Sequence, residues 1–223
     1  MQIKKENRQI LLWMFFFGVA MAYLESAVVV YLRQIYYPDG FHFPIIIIPQ
    51  KMALIEIGRE MATLVMLLAV AFIAGKTRWT RFAYFMLSFG IWDIWYYVWL
   101  KVFLDWPASF FTWDLLFLIP APWVGPVLAP VIVSVSLIVG ALVILFVEDS
   151  GSRFQLKKWE WLPFLMIPVL IFISFILDAP LVVRQQSPEF YHWELLAMAE
   201  ILGVIVFFNV WNRFRKEEMA GKQ

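Results

Sequence analysis

The 223-residue sequence predicts an all-α, polytopic integral membrane protein: one bundle of six transmembrane helices with both termini in the cytoplasm. Three observations predict it. Composition is the first: 63% of residues are hydrophobic and 16% charged, with mean hydropathy +0.77, where soluble domains run at about 45–50% and about 25%. The second is a series of six segments, each approaching the roughly 20 apolar residues that a bilayer-crossing helix needs. The third is the uneven distribution of Lys and Arg between alternate connections. The same composition excludes a disordered chain, which needs low hydrophobicity and high charge. Net charge +1 leaves no electrostatic footprint for nucleic acid. With no cysteine, disulfides, thiol catalysis and thiolate-held metal clusters are all excluded.

The spans are taken as one membrane domain over 1–223. Span one covers about 10–33. Its basic start and Ala20-Met21-Ala22 mimic a secretory leader, but the apolar run continues to Leu32, so it reads as a retained span. A segment at about 41–49 follows, with four isoleucines between Pro44 and Pro49; it is too short to cross and is expected at the interface. Span two is placed at about 52–75 and span three at about 82–104. The stretch at about 105–126 is apolar but interrupted by Pro107, Pro120, Pro122 and Pro126, which predicts an interfacial or re-entrant helix over the outer face. Span four, about 127–147, carries no charge and is the clearest. Span five, about 162–179, has only Asp178, at its end, and two prolines (Pro163 and Pro168) that kink helices. Span six is placed at about 194–212.

Orientation follows from the basic residues. Lys4, Lys5, Arg8, Lys76, Arg78, Arg81, Arg153, Lys157, Lys158, Arg213, Arg215, Lys216 and Lys222 fall on one side. Arg33, Lys51, Lys101 and Arg184 fall on the other. The positive-inside rule then puts both termini in the cytoplasm of an inner (plasma) membrane protein. Tyr36, Tyr37, Tyr96, Tyr97, Trp99, Trp106, Trp113, Trp123, Tyr191 and Trp193 cluster near the outer ends of spans. They fit either an interfacial aromatic belt or an aromatic-lined chamber.

The functional lead is a set of charges inside the spans, each costing on the order of 2.5–3.5 kcal/mol to insert. These are Glu25 in span one, Glu56, Arg59 and Glu60 in span two, Asp93 in span three and Glu200 in span six, with His192 and Glu194 at the start of span six. At about 1.5 Å per residue, Glu25 and Glu60 lie roughly 12 Å below the outer ends, Asp93 about 16 Å, Glu200 about 9 Å and Glu56 about 6 Å. Matching depths on four helices point to one shared, outward-facing site. Glu56, Arg59 and Glu60 share a helical face by their i, i+3, i+4 spacing. Asp93 aligns with Tyr96 and Tyr97, while Trp92, Trp95 and Trp99 form a neighbouring stripe that reads as packing or lipid contact. Four carboxylates against Arg59 leave three negative charges in excess, four with Glu200. Such an excess calls for protonation, water or a bound cation.

Several chemistries fit this set. Glu25, Glu56, Glu60, Asp93, His192 and Glu200 are candidate ligands for a divalent metal ion, although the paired Glu-x-x-His signature of di-iron proteins is missing. A metal there makes the chain a metal-dependent membrane enzyme acting on a lipid or lipid-linked substrate, with Glu25, Glu56, Arg59, Glu60 and Asp93 as the catalytic set. Membrane carboxylates also serve proton- or cation-coupled transport. A third possibility is a non-catalytic subunit that binds membrane-protein partners and uses the charges as a structural ion-pair network. His42 and His192 both fall in loops, which argues against a bis-histidine haem. The strings LESAVVVYLR, EIGREMAT and FGIWDIWYY look like polar-site segments of a bacterial membrane family, and that resemblance implies no activity.

Overall fold

A computed structural model describes residues 5–220; Lys4 and Lys222, two of the basic residues used for orientation, lie outside them. The described chain forms α1 (Lys5–Tyr36), α2 (Gln50–Ala74), α3 (Arg78–Leu104), a hairpin of β1 (Trp113–Phe117) and β2 (Trp123–Pro126), α4 (Leu128–Asp149), α5 (Trp161–Ile176), the short α6 (Ala179–Val183) and α7 (Trp193–Ala220). Five helical stretches are long and apolar enough to cross a membrane: Asn7–Tyr36, Gln50–Ala74, Leu128–Asp149, Lys158–Val183 and Trp193–Glu217. The third expected span, α3, has the length at 27 residues, but its tryptophans, tyrosines and Asp93 lower its hydropathy. All six expected spans are therefore helical. Most run a few residues longer than their apolar runs, because a helix continues past the apolar stretch until a cap or a proline stops it.

The all-α expectation is corrected at 105–126. The segment is an extended loop and an antiparallel hairpin, not a helix, with Trp113 opposite Pro126, Asp114 opposite Gly125 and Leu115 opposite Val124. Pro107, Pro120, Pro122 and Pro126 lack the N–H that a helix needs, whereas proline is tolerated at the edge of a two-stranded ribbon. Gly125 allows a close approach: a Cβ there would lie 3.0 Å from the Phe175 ring and 3.1 Å from that of Tyr191, so those rings would have to shift slightly. The 41–49 segment is likewise irregular.

α3 is the centre of the bundle and packs on α1, α2 and α4; α5 pairs with α7, which joins the rest through α4. Small residues set the close contacts, as expected where lipid gives helices no hydrophobic drive to associate. A Cβ on Gly18 of α1 would come within 2.7 Å of Ile91 on α3, and one on Gly90 within 2.6 Å of the Ser134 carbonyl on α4. Ala22 and Ser26 are fully buried against α3, where the Ser26 hydroxyl donates to the Tyr96 carbonyl at 3.1 Å. By contrast, α1 and α2 both pack on α3, and they meet each other mainly through side chains. At the end remote from the hairpin, Met14, Tyr84, Leu87, Ile144, Phe154 and Phe214 belong to one continuous apolar core.

Candidate functional site

The seam that α1 and α2 leave open becomes a cavity of about 390 Å³ at the hairpin end. Five parts of the chain enclose it: the last turns of α1, the first half of α2, the second half of α3, the isoleucine run Ile45–Ile48 and strand β1, with Val182 and Val183 of α6 at the edge. The walls are largely aliphatic and aromatic. The polar groups gather where α1, α2 and α3 converge.

Glu25, Glu56, Arg59, Glu60 and Asp93 all line this one cavity. Helix lengths explain the convergence. Glu25 and Asp93 each sit eleven residues from the hairpin-end terminus of their helix and Glu60 ten, so all three lie about 15–17 Å along it. Arg59 of α2 pairs with Glu25 of α1 and, at 2.8 Å, with Glu56 one turn away on its own helix. The Thr63 hydroxyl donates to the other Glu25 oxygen at 3.0 Å. The backbone N–H of Leu118, just past β1, reaches both oxygens of Glu60 at 3.0 and 3.1 Å. Ser134 on α4 donates to Asp93 at 2.8 Å. The carboxylates are all buried, and Arg59 is the most accessible member, with 21% of its side chain exposed. On the opposite face of α2, Leu54, Val65 and Leu68 are exposed, as a lipid-facing stripe would be.

Two expected members lie elsewhere. Glu200 is bound by the Ser136 hydroxyl between α4 and α7, and His192 pairs with the exposed Glu194 at 2.9 Å before α7. Neither reaches the cavity, because α7 packs on α5 and α4 and not on α1–α3. Depth along a helix does not reveal which neighbours that helix has. Among the described residues, no group of three or more His, Cys, Asp or Glu is arranged to hold a metal ion. Each cavity carboxylate is engaged by Arg59, a hydroxyl or a backbone N–H.

Sequence reasoning also missed two charged residues. Arg33, assigned to an outer connection, lies in α1 and is 7% exposed. It pairs with Asp114 of β1 at 3.0 Å. The rings of Trp106 and Phe41 lie 3.8 and 4.4 Å from its guanidinium carbon. A signal existed: Glu25, Val29, Leu32, Arg33 and Tyr36 recur at helical spacing and all line the cavity. Burial pushes the Asp114 carboxyl up to about 6, with Arg33 opposing the rise. As Arg33 and Asp114 offset each other, the acid excess in the cavity stays at three: five carboxylates face two guanidiniums.

The aromatic residues divide by position. Tyr36, Tyr37, Tyr96 and Tyr97 line the chamber, and so does Trp92, which the sequence placed in a packing or lipid-facing stripe. Trp92 is 4% exposed and its indole N–H meets no acceptor among the described residues. Trp95 packs edge-on against Phe15, and Trp99 donates to the Val19 carbonyl at 3.2 Å, as expected for packing. Trp113, Trp123, Tyr191 and Trp193 gather around Phe175 and Leu196 behind the hairpin.

No protein-family model, curated protein or solved structure matches this chain. The site therefore has to be read from its own chemistry. It joins an apolar chamber to a charged floor, and beside it lies a seam between α1 and α2 spanned by the Glu25–Arg59 pair and the Thr63–Glu25 hydrogen bond.

Proposed function

We propose that this chain is a multi-pass protein of the inner (plasma) membrane that binds a lipid or lipid-linked substrate in an outward-facing intramembrane cavity. The substrate's apolar part lies against Ile45–Ile48, Leu115 and Leu116. Its head rests against Glu25, Glu56, Glu60 and Asp93, groups able to give and take protons during a reaction. Arg59, the most accessible charge, orients the head. The observation that carries this reading is one cavity of about 390 Å³ whose walls are aliphatic and aromatic and whose floor is ionisable. That volume falls in the range of ligand sites, about 300–1,000 Å³. The open seam between α1 and α2 offers a sideways route from the bilayer, so the substrate need not leave lipid to reach the floor. Moving Arg33 from the outer connections into the bundle sharpens the charge split. Only Lys51, Lys101 and Arg184 then remain opposite the thirteen basic residues on the cytoplasmic side.

Native mass spectrometry of protein extracted in mild detergent tests the reading. The wild-type chain is expected to retain a lipid-sized ligand. Ala53→Trp, which fills the cavity from α2, is expected to lower that retention at least tenfold. A chain that carries no lipid, or equal retention by the variant, overturns the proposal.

A further inference from the structure

The floor of the cavity holds more negative than positive charge, and among the described residues no further cation lines it. Five carboxylates and two guanidiniums face the same space. One guanidinium, Arg33, is committed to Asp114 and sandwiched by Trp106 and Phe41. The other, Arg59, is shared between Glu25 and Glu56. Glu60 has only a backbone N–H as donor, and Asp93 only the Ser134 hydroxyl. In a low-dielectric interior an uncompensated carboxylate takes up a proton or acquires a cationic partner. A second feature points to a ligand: the buried indole N–H of Trp92, in the cavity wall, meets no acceptor among the described residues. Buried N–H groups without an acceptor are rare and costly, and an oxygen from a bound molecule satisfies one.

We infer that the ligand of this cavity is an amphiphile whose head carries an ammonium group next to an acceptor oxygen, the ammonium pairing with Glu60 and Asp93 and the oxygen accepting from Trp92. The inference rests on the proposal that an amphiphile occupies the cavity, and it specifies the head. A long-chain amino alcohol and an ethanolamine phospholipid share this chemistry. The apolar walls take the chain in both cases, and the phosphate of the second needs a further donor, for which the cavity offers one buried Arg33 nitrogen free of hydrogen bonds among the described residues. The whole chain carries a net charge of only +1, so a preference for cations would have to come from the cavity and not from the overall charge of the protein.

Competition binding in neutral detergent tests this, read by native mass spectrometry and by thermal shift. Four probes of equal chain length are used: a long-chain 2-amino alcohol, a lysophosphatidylethanolamine, a lysophosphatidylglycerol and a long-chain diol. The two ammonium-bearing probes, or one of them, are expected to bind at least tenfold more tightly than the anionic and neutral probes. Which of the two binds identifies the source. Glu60→Gln is expected to reduce that preference several-fold, weakening the ammonium-bearing probes more than the diol. Should Glu60→Gln fail to fold, Trp92→Phe provides an independent check, because it removes the indole donor and is expected to weaken the amino alcohol relative to a plain long-chain amine added as a fifth probe. Equal binding of all four probes, or tighter binding of the anionic one, overturns the inference and leaves amphiphile binding standing. No binding of any probe overturns both.

Discussion

The two ends of this bundle solve the same packing problem in opposite ways. At the end remote from the hairpin, α1, α3, α4 and α7 close on a continuous apolar core that includes Met14, Tyr84, Ile144 and Phe214. Polar groups there sit at helix ends and are satisfied locally. Thr77 caps α3 and donates to Glu148 at 3.1 Å, Asn7 donates to Asp149, and Arg213 pairs with Glu160. At the hairpin end, α1 and α2 separate, and charged side chains occupy the space between them. The difference shows what a buried charge does in a helical bundle. Small residues such as Gly18, Ala22 and Gly90 bring helices together by close packing, whereas Glu25, Arg59 and Thr63 link α1 and α2 through polar side chains that border a cavity.

The largest expected effect comes from breaking the charged end. Arg59→Met removes the cation shared by Glu25 and Glu56 and leaves Glu25 with only the Thr63 hydroxyl as a donor, at a cost of about 3–5 kcal/mol. Thermal unfolding in detergent should show a large drop in Tm. An unchanged Tm would mean that the seam does not depend on this pair. Next comes the closely packed interface. Gly90→Val forces a side chain against the Ser134 carbonyl and should cost about 1–3 kcal/mol by overpacking. Because Ser134 also donates to Asp93, this variant should disturb the cavity as well, and ligand retention measured alongside Tm would show whether the two halves are coupled. At the remote end, Thr77→Ala removes the α3 cap for about 0.5–2 kcal/mol. Retention should be unaffected, and a loss of ligand would contradict the separation of the two ends. Glu200→Gln should have the smallest effect, within about 0.5 kcal/mol, with the cavity preference intact. If instead it abolished ligand binding, α7 would have to reach a site that the fold places elsewhere.

Much of this arrangement was legible from residue order. Helix positions follow hydrophobic runs, and the cavity-lining set on α2 follows from i, i+3, i+4 spacing. The level of Glu25, Glu60 and Asp93 follows from a fixed rise per residue. Other features were not legible. The hairpin at 113–126 looked helical because apolar content does not distinguish a strand from a helix, and the prolines indicated only that an ordinary helix was unsuitable. Arg33 was placed in a connection because basic residues near span ends usually snorkel outward. Its burial depends on Asp114, Phe41 and Trp106, the nearest of them eight residues away in sequence and the farthest eighty-one.

Composition alone made this chain a helical membrane protein, since so much apolar surface is stable only when it is surrounded by lipid or packed inside protein. Local periodicity then set which residues share a helix face and at what depth. Which faces meet was decided only by the tertiary structure. Helix neighbours depend on close packing between small residues far apart in the chain, such as Gly18 against Ile91 and Gly90 against Ser134. That packing brings Glu25, Glu60 and Asp93 to one cavity, leaves Glu200 and His192 outside it, and adds Arg33 and Asp114. The excess of acid could be counted along the sequence, but the enclosed space that the excess charges face exists only where α1, α2, α3, the isoleucine run and β1 come together.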